Sequence, residues 1–260
     1  MIRSLYSAAT GMGAQQIQTD VVANNLANAS TAGFKKSRAN FEDLMYRKML
    51  VAGQTTPGGG QVPSGIEIGM GVKPAGVQKI FTQGDYVETG NTFDFTIQGK
   101  GFFRVLHGDE DHYTRAGSFT LDSEGFITSP VGDRLQPEIS IPVEAVTVVL
   151  QDDGTLTAFD ANEEILAEEN VLVTTFINPA GLSAQGQNLF LPTEASGDPV
   201  EGTPGEDGAG TTLNNWLEMS NVSVVEEMVN MIVGQRAYEA NSKSIQTADS
   251  MLSTANGLKR

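Results

Sequence analysis

The sequence predicts an α+β protein in which N- and C-terminal helices flank a central, mainly antiparallel β domain. Three observations give this fold class. Apolar residues recur with helical spacing near both ends of the 260-residue chain. Short alternating segments separated by turn residues fill the middle, and stretches rich in glycine and proline lie on either side of it.

The first predicted helix occupies the N-terminal region. Residues at alternating spacings of three and four, the rhythm of a coiled-coil seam, are Leu5, Ala8, Met12, Gln15, Thr19, Val22 and Leu26. The polar side chains of Gln15 and Thr19 make this seam imperfect. Gly33 follows a run of small residues and is well placed to end the helix.

The second predicted helix runs from Val224 to about Ala255. Ser223 followed by Glu226 is the pattern of a capping box at its start. Apolar residues recur every seven positions without a miss, at Leu217, Val224, Met231, Tyr238, Ile245 and Leu252. Leu217 lies on the approach to the helix and extends its seam, and Met228 widens the apolar face.

Neither helix can bury its apolar seam alone, because isolated helices are marginal in water. We expect the terminal helices to pair in a coiled-coil-like bundle. The pattern leaves two arrangements open: one helical hairpin within a single chain, or helices from many subunits packed together.

Three regions follow from these patterns. The terminal helical assembly domain comprises residues 1–40 and 214–260, and the central β domain comprises residues 82–195. Residues 41–81 and 196–213 are expected to be extended connecting segments, because they contain runs such as TTPGGG at residues 55–60.

Acidity belongs to the central region alone. The net charge is −16, and residues 51–213 carry six Lys or Arg against 24 Asp or Glu, which gives −18 for that region. Such a surface argues against binding nucleic acid or an anionic membrane. No apolar run is long enough to span a bilayer, so we predict no membrane insertion. No cysteine is present, and no cleaved signal peptide is visible.

No motif for catalysis, cofactor binding or metal binding stands above background. His107 and His112 are the only histidines and flank an acidic turn, but a structural zinc site needs two more ligands. Residues 69–71 and 99–101 are glycine-rich but lack the spacing of a phosphate-binding loop. We therefore predict no enzyme activity, no cofactor and no metal.

Several motifs closely resemble those of the bacterial flagellar rod and hook proteins, the axial proteins of the flagellum. They are ANNLAN (23–28), STAGFK (30–35), TQG (82–84), IQGKGFF (97–103), YTRAGSF (113–119), EEMVNM (226–231) and QRAYEANSK (235–243). The likeness runs nearly end to end in register. Residues 41–46 and 63–74 resemble distal rod subunits rather than hook subunits. The run of Gly58, Gly59 and Gly60 departs from the family pattern and bears on local stiffness.

The resemblance implies a structural subunit that polymerises helically into a hollow rod and transmits motor torque to the hook. The terminal helices would form the inner tube, and the β domain would face outward. The implied partners are further copies of the chain, other rod and hook subunits, the surrounding P- and L-ring proteins, and the flagellar type III export apparatus. Such a rod crosses the periplasm to the outer membrane.

We expect the interface between subunits to include the two helical seams and three asparagines near the end of the first helix. The amides can satisfy exposed backbone groups and hydrogen-bond across chains. The candidates are Leu5, Met12, Val22, Asn24, Asn25, Leu26, Asn28, Leu217, Val224, Met228, Met231, Gln235, Tyr238, Ile245 and Leu252.

Three alternatives remain open. One is a monomeric β-domain adaptor that is closed by its own helical hairpin. Another is a different flagellar axial protein, of the proximal rod or the hook, in which case it should differ in residues 47–65. The third is a secreted β-rich protein that binds or acts on carbohydrate, with an acidic pair hidden among the central carboxylates.

Overall fold

A computed structural model describes residues 2–51, 53, 63–162, 164–206 and 208–257. The glycine run at 58–60 lies outside the described residues, as do residues 52, 54–57, 61 and 62 of the same predicted connecting segment. Two compact units make up the chain. The first contains residues 1–26, 37–78 and 223–260, and the second contains residues 27–36 and 79–222.

Two long helices belong to the first unit, α1 (Ile2–Ala27) and α2 (Val224–Gly257). The 34 residues of α2 extend over about 51 Å at the usual helical rise. The predicted start is confirmed, since the Glu226 N–H donates to Ser223 Oγ at 3.5 Å and the Glu227 N–H donates to Ser223 O at 3.0 Å. The prediction for the end of the first helix is wrong, because Ala27 ends α1 before Gly33. The described part of neither helix is long and apolar enough to cross a membrane.

Among the described residues, twenty strands account for most of the remaining regular structure, together with a short 3₁₀ turn at Pro179–Gly181. The strands are β1 (Ser37–Asp43), β2 (Tyr46–Leu50), β3 (Ile66–Gly69), β4 (Val72–Lys79), β5 (Tyr86–Glu88), β6 (Phe95–Gln98), β7 (Phe103–His107), β8 (Glu110–Thr114), β9 (Thr120–Leu121), β10 (Ile127–Thr128), β11 (Arg134–Gln136), β12 (Thr147–Leu150), β13 (Thr155–Phe159), β14 (Ile165–Asn170), β15 (Val173–Thr175), β16 (Ser183–Gly186), β17 (Leu189–Leu191), β18 (Val200–Gly202), β19 (Thr211–Asn214) and β20 (Trp216–Glu218).

The second unit is built around a seven-stranded sheet in the order β16-β17-β8-β7-β11-β10-β9. Smaller sheets pair β12-β13-β14, β15-β18, β19-β6 and β20-β5. Their pairings are antiparallel, which confirms the predicted central β region. Its main core buries three phenylalanines with branched aliphatic residues, including Phe95, Ile97, Phe103, Val105, Phe119, Ile127, Leu135 and Ile139.

The first unit adds two small two-stranded sheets, β1-β4 and β2-β3, to the helices. In the second of these, Tyr46 pairs with Gly69 and Leu50 pairs with Ile66. Both sheets lie within or next to residues 41–81, where the sequence indicates connecting segments. The α+β class is therefore confirmed, whereas coiled-coil pairing of the helices and the proposed domain boundaries stay predictions.

Candidate assembly surfaces and a buried charged junction

The two helices of the first unit approach each other at two glycines. A Cβ added to Gly234 would lie 3.5 Å from side-chain oxygens of both Gln15 and Thr19. A Cβ added to Gly11 would lie 2.9 Å from Asn241 Nδ2. Higher residue numbers in α1 thus face lower numbers in α2, so the helices are antiparallel. Small and polar residues make this contact.

The face of α2 that is covered differs from the predicted seam. Its buried residues are Glu227, Gly234 and Ala248, which share one seven-residue line with Asn241. Among the predicted interface residues of α2, Met231, Ile245 and Leu252 are half-buried, whereas Val224, Gln235 and Tyr238 are exposed. Within one chain, the predicted seam is therefore only partly covered.

A strip of branched and sulfur-containing side chains lies open on the first half of α2. Between 50% and 73% of each side chain's surface is exposed. We call this set the α2 strip; it consists of Val225, Met228, Val229, Ile232 and Val233. An exposed contiguous apolar surface on a water-soluble chain marks an interaction site.

The predicted residues of α1 are more covered. Val22 is buried, and Leu5, Met12 and Leu26 are half-buried. Leu217 does not extend the helical seam as predicted, because it lies in β20 of the second unit, opposite Val87 of β5. The extended conformation of residues 216–218 removes it from any helix face.

Asn25 has a role inside the chain that differs from the predicted bond across chains. Its side chain is 1% exposed. Nδ2 donates to Ser37 O at 2.8 Å, and Oδ1 accepts from the Ser37 N–H at 2.8 Å. This pair of bonds fixes the start of β1 to the end of α1. By contrast, Asn24 is exposed and Asn28 is half-buried, with Asn28 Oδ1 accepting from Thr31 Oγ1 at 3.4 Å.

The β2–β3 hairpin is the second exposed apolar surface of the first unit. Met45, next to β2, is 85% exposed, and Met49 and Ile66 are also open. A two-stranded hairpin is marginal in water unless something packs on it. This hairpin belongs to the region whose sequence resembles distal rod subunits.

In the second unit, three chain segments lie side by side and form what we call the junction: residues 33–36, 80–85 and 216–221. The Gly33 N–H donates to Glu218 O at 2.8 Å, and the Ile80 N–H donates to Lys36 O at 2.9 Å. The Met219 N–H donates to Asp85 O at 2.8 Å. The three segments are therefore held to one another by backbone bonds.

A cluster of three buried charges, the charged cluster, lies at the centre of the junction. Glu218, Lys35 and Arg115 are 2%, 1% and 6% exposed. Glu218 Oε1 is 2.5 Å from Lys35 Nζ, and Glu218 Oε2 is 2.8 Å from Arg115 Nε. The Gly84 N–H donates to Glu218 Oε1 at 2.9 Å. Each oxygen of the carboxylate thus meets a cation.

The guanidinium of Arg115 also organises the loop that contains IQGKG. It donates to the carbonyl oxygens of Gly101 at 2.5 Å, Gly99 at 2.7 Å and Ile97 at 3.1 Å. Lys35 Nζ donates to Thr82 O at 2.8 Å. Several family-like motifs of the sequence, including TQG, IQGKGFF and YTRAGSF, therefore meet at one place.

Burial opposes the charges of Glu218 and Lys35. Burial alone would raise the pKa of Glu218, but Arg115 and Lys35 outweigh it and hold that pKa below its usual value. Burial lowers the pKa of Lys35, and the ion pair with Glu218 opposes that effect only in part. The two residues are thus shifted for different reasons, Lys35 mainly by burial and Glu218 by its two cationic neighbours.

Glycines at the junction are required by close backbone contacts. A Cβ on Gly84 would lie 2.0 Å from Met219 O, and one on Gly117 would lie 1.6 Å from Phe95 O. Gly33 has a left-handed φ of 71°, and its Cβ would lie 2.4 Å from Ala116 N. No larger side chain fits at these places without moving the backbone.

The two histidines lie on the β7–β8 hairpin. His107 Nδ1 is 2.7 Å from Asp133 Oδ1, and the two imidazole rings are 5.3 Å apart. Among the described residues, no group of three potential His, Asp or Glu metal ligands comes together. Residues 69–71 and 99–101 lie between or beside strands, with Gly71, Gly99 and Gly101 at positive φ, a conformation that suits tight β connections.

Comparison with known proteins identifies the class. Three family profiles match: "Flagella basal body rod protein" over residues 5–35, "Flagellar hook protein FlgE/F/G D1 domain" over 96–158, and "Flagellar basal body rod FlgEFG protein C-terminal" over 213–258. Together they cover α1, part of the β body, and α2 with the strands just before it.

Full-length relatives narrow the class further. The chain is 45% identical to the flagellar basal-body rod protein FlgG of Borreliella burgdorferi, with all of both chains aligned. It is 41% identical to FlgG of Caulobacter vibrioides over 99% of this chain and 100% of the relative, and 36% identical to FlgG of Bacillus subtilis over all of both chains. The flagellar hook protein FlgE of Treponema pallidum aligns with only 52% of this chain and 29% of its own length, at 41% identity.

The chain therefore belongs to the FlgG family of flagellar basal-body rod proteins. The predicted family and the role of a structural rod subunit are confirmed by these relatives. Their names describe rod proteins, which favours a structural role over a catalytic one.

Proposed function

We propose that the protein is a subunit of the distal flagellar rod, which assembles helically into a hollow shaft through its terminal helices and transmits torque from motor to hook. Its full-length likeness to rod proteins named FlgG supports the rod over the hook. The structural observation that carries the proposal is the α2 strip, an apolar surface that the described part of a single chain leaves uncovered.

The α2 strip explains why assembly is needed. At about 25 cal/mol per Å² of apolar surface removed from water, burial of such side chains is a substantial driving force. A surface that binds a different surface of an identical copy, without closing a ring, produces a helical polymer. The β2–β3 hairpin offers a second uncovered surface of this kind, and we place the predicted interface residues of α1 and α2 around these two surfaces.

The other parts of the proposal rest on the family. The rod would contact its own copies, other rod and hook subunits, and the P- and L-ring proteins around it. It would be exported by the flagellar type III apparatus without a cleaved signal and would cross the periplasm. The terminal helices would form the inner tube, and the acidic β domain would face outward.

Electron microscopy of the purified protein under polymerising conditions tests the proposal. The unmodified chain should form straight tubes, and Val229→Asp should abolish them because it places a charge in the α2 strip. Val229→Leu keeps that position apolar and serves as the matched control, which should still form tubes. Curved tubes from the unmodified chain would favour a hook protein, and tubes from Val229→Asp would contradict the role given to the strip.

A further inference from the structure

The junction lies where the chain enters and leaves the β body of the second unit. Residues 28–36 follow α1 directly in the chain, and residues 219–223 lie between β20 and α2. Glu218, the last residue of β20, binds the first of these segments directly before the second begins. Glu218 accepts from the Gly33 N–H through its backbone oxygen and from Lys35 Nζ through its carboxylate.

The same residue fastens both segments to the β body. Arg115 follows β8 directly and donates through Nε to Glu218 Oε2 at 2.8 Å. Its remaining contacts, to the carbonyl oxygens of Ile97, Gly99 and Gly101, reach from the end of β6 to the start of β7. We call residues 28–36 the entering segment and residues 219–223 the leaving segment. A displacement of either segment relative to the β body must therefore break hydrogen bonds to a charged side chain.

An amide makes a second fastening beside the first. Asn221 Oδ1 accepts from the Lys36 N–H at 2.7 Å, and Asn221 Nδ2 donates to Ile80 O at 2.8 Å. Entering and leaving segments are thus linked at two successive places along the chain, through Glu218 and through Asn221.

Stability alone does not explain why charges occupy this position. Replacing a buried ion pair with well-packed apolar residues is often neutral or stabilising. Charges and hydrogen bonds add directional contacts, whereas apolar contacts are non-directional and tolerate sliding. A buried charge that is displaced from its partner also loses the interaction that compensates for its removal from water. A buried charged cluster therefore holds one geometry against shear.

We propose that the junction is the torque joint of the subunit: the Lys35–Glu218–Arg115 cluster locks the two chain segments that lead to the helices onto the β body, so that the body turns with the helices. A single connecting segment can twist about its backbone dihedrals. Two segments locked side by side resist that rotation. This inference rests on the proposed function, which requires torque to pass through each subunit.

Lys35→Met tests the joint. It removes the ion pair between the entering segment and the Glu218 carboxylate, while the Gly33 N–H bond to Glu218 O remains and Glu218 keeps Arg115 as its counter-ion. Lys100→Met is the matched control, because Lys100 carries the same charge in the same unit on an exposed position. Lys35→Arg restores a cation and should recover most of the wild-type behaviour.

Three readouts separate a joint from a general stabiliser. Amide exchange of the Lys35→Met monomer should rise about tenfold or more in residues 33–36 and 216–221, with β7 and β8 still protected. Straight rods should still form. Cells that produce Lys35→Met should stop swimming at a lower medium viscosity than cells that produce Lys100→Met.

The inference is overturned if Lys35→Met exchanges like wild type at the junction, swims like Lys100→Met under viscous load, or unfolds the whole β body. In the last case the cluster would serve folding alone. Failure of the proposed function looks different: the unmodified chain would form no rods, while the exchange pattern at the junction would be unaffected.

Discussion

The α2 strip and the charged cluster differ in how exposed their side chains are and in what is needed to cover or pair them. The strip puts apolar side chains in water, at exposures of 50% to 73%, and needs something outside the chain to cover it. The cluster puts three charges in the interior, each at most 6% exposed, and each is paired within the same unit. The strip is thus left uncovered within the described chain, whereas the charges of the cluster are compensated within the second unit.

Removing the carboxylate of the charged cluster should have the largest effect. Glu218→Ala leaves Lys35 and Arg115 buried without a counter-charge, and we expect a loss of about 3–5 kcal/mol in the free energy of unfolding. Denaturant unfolding followed by near-ultraviolet circular dichroism measures it. An equal loss from Glu124→Ala, which removes the partner in an exposed pair with Arg134, would show that the burial of the cluster is irrelevant.

Gly117→Ala should destabilise the β body by about 3 kcal/mol, because the new methyl group would lie 1.6 Å from Phe95 O. Gly202→Ala is its control, since Gly202 is also in the second unit and has open space at the Cβ position. Thermal unfolding of both variants gives the comparison. Similar melting temperatures for the two would contradict the close contact described at Gly117.

Asn25→Ala should cost about 1–3 kcal/mol in the unfolding of the first unit, because the Ser37 N–H and C=O would lose both their bonds to the amide. Asn24→Ala changes an exposed side chain next to it and should cost less. Amide exchange of Ser37 and its neighbours distinguishes the two variants. If only Asn24→Ala raised exchange there, the assignment of the buried amide would be wrong.

Acid should remove the contribution of Glu218 gradually. Its folded-state pKa lies below the unfolded value, so the contribution is complete above the unfolded pKa of about 4.3 and is lost as the pH falls through the folded pKa. The difference in unfolding free energy between wild type and Glu218→Gln should be constant above about pH 5, where the unfolded carboxyl is mostly ionised. The difference should shrink as the pH falls below that value. A difference that grows as the pH falls would contradict a folded-state pKa of Glu218 below its unfolded value.

The smallest effect belongs to exposed ion pairs. Lys48→Met removes the pair with Glu67, whose atoms are 3.6 Å apart on half-exposed side chains. We expect less than about 1 kcal/mol. A loss comparable to that of Glu218→Ala in a urea titration would mean that this pair is buried in solution by another copy of the chain.

What could be predicted from the sequence depended on how local the determining interactions were. The start of α2 at Val224 follows from a capping box four residues long, Ser223 to Glu226, and both helices follow from periodicity within each segment. The charged cluster joins residues 183 and 103 positions apart, and no periodicity specifies which lysine meets which glutamate. A basic residue inside each of the STAGFK and YTRAGSF motifs was the available signal, but the acidic partner carried none.

The covered face of α2 was missed for a related reason. Hydrophobic periodicity selects the line through Val224, Met231 and Tyr238, whereas the helix contact uses Gly234 and Asn241, a small and a polar residue. Residues that permit close approach are not apolar, so a search for apolar repeats passes over them. The apolar residues of the α2 strip are instead exposed within the described chain.

Amide hydrogen exchange of monomer and polymer, compared at α2 and at the junction, tests the contrast between the two regions most directly. The account predicts slow exchange at residues 216–221 in both states, and slow exchange at residues 225–233 only in the polymer. Equal protection of residues 225–233 in the monomer and the polymer, or protection of the junction that arises only on assembly, would contradict it.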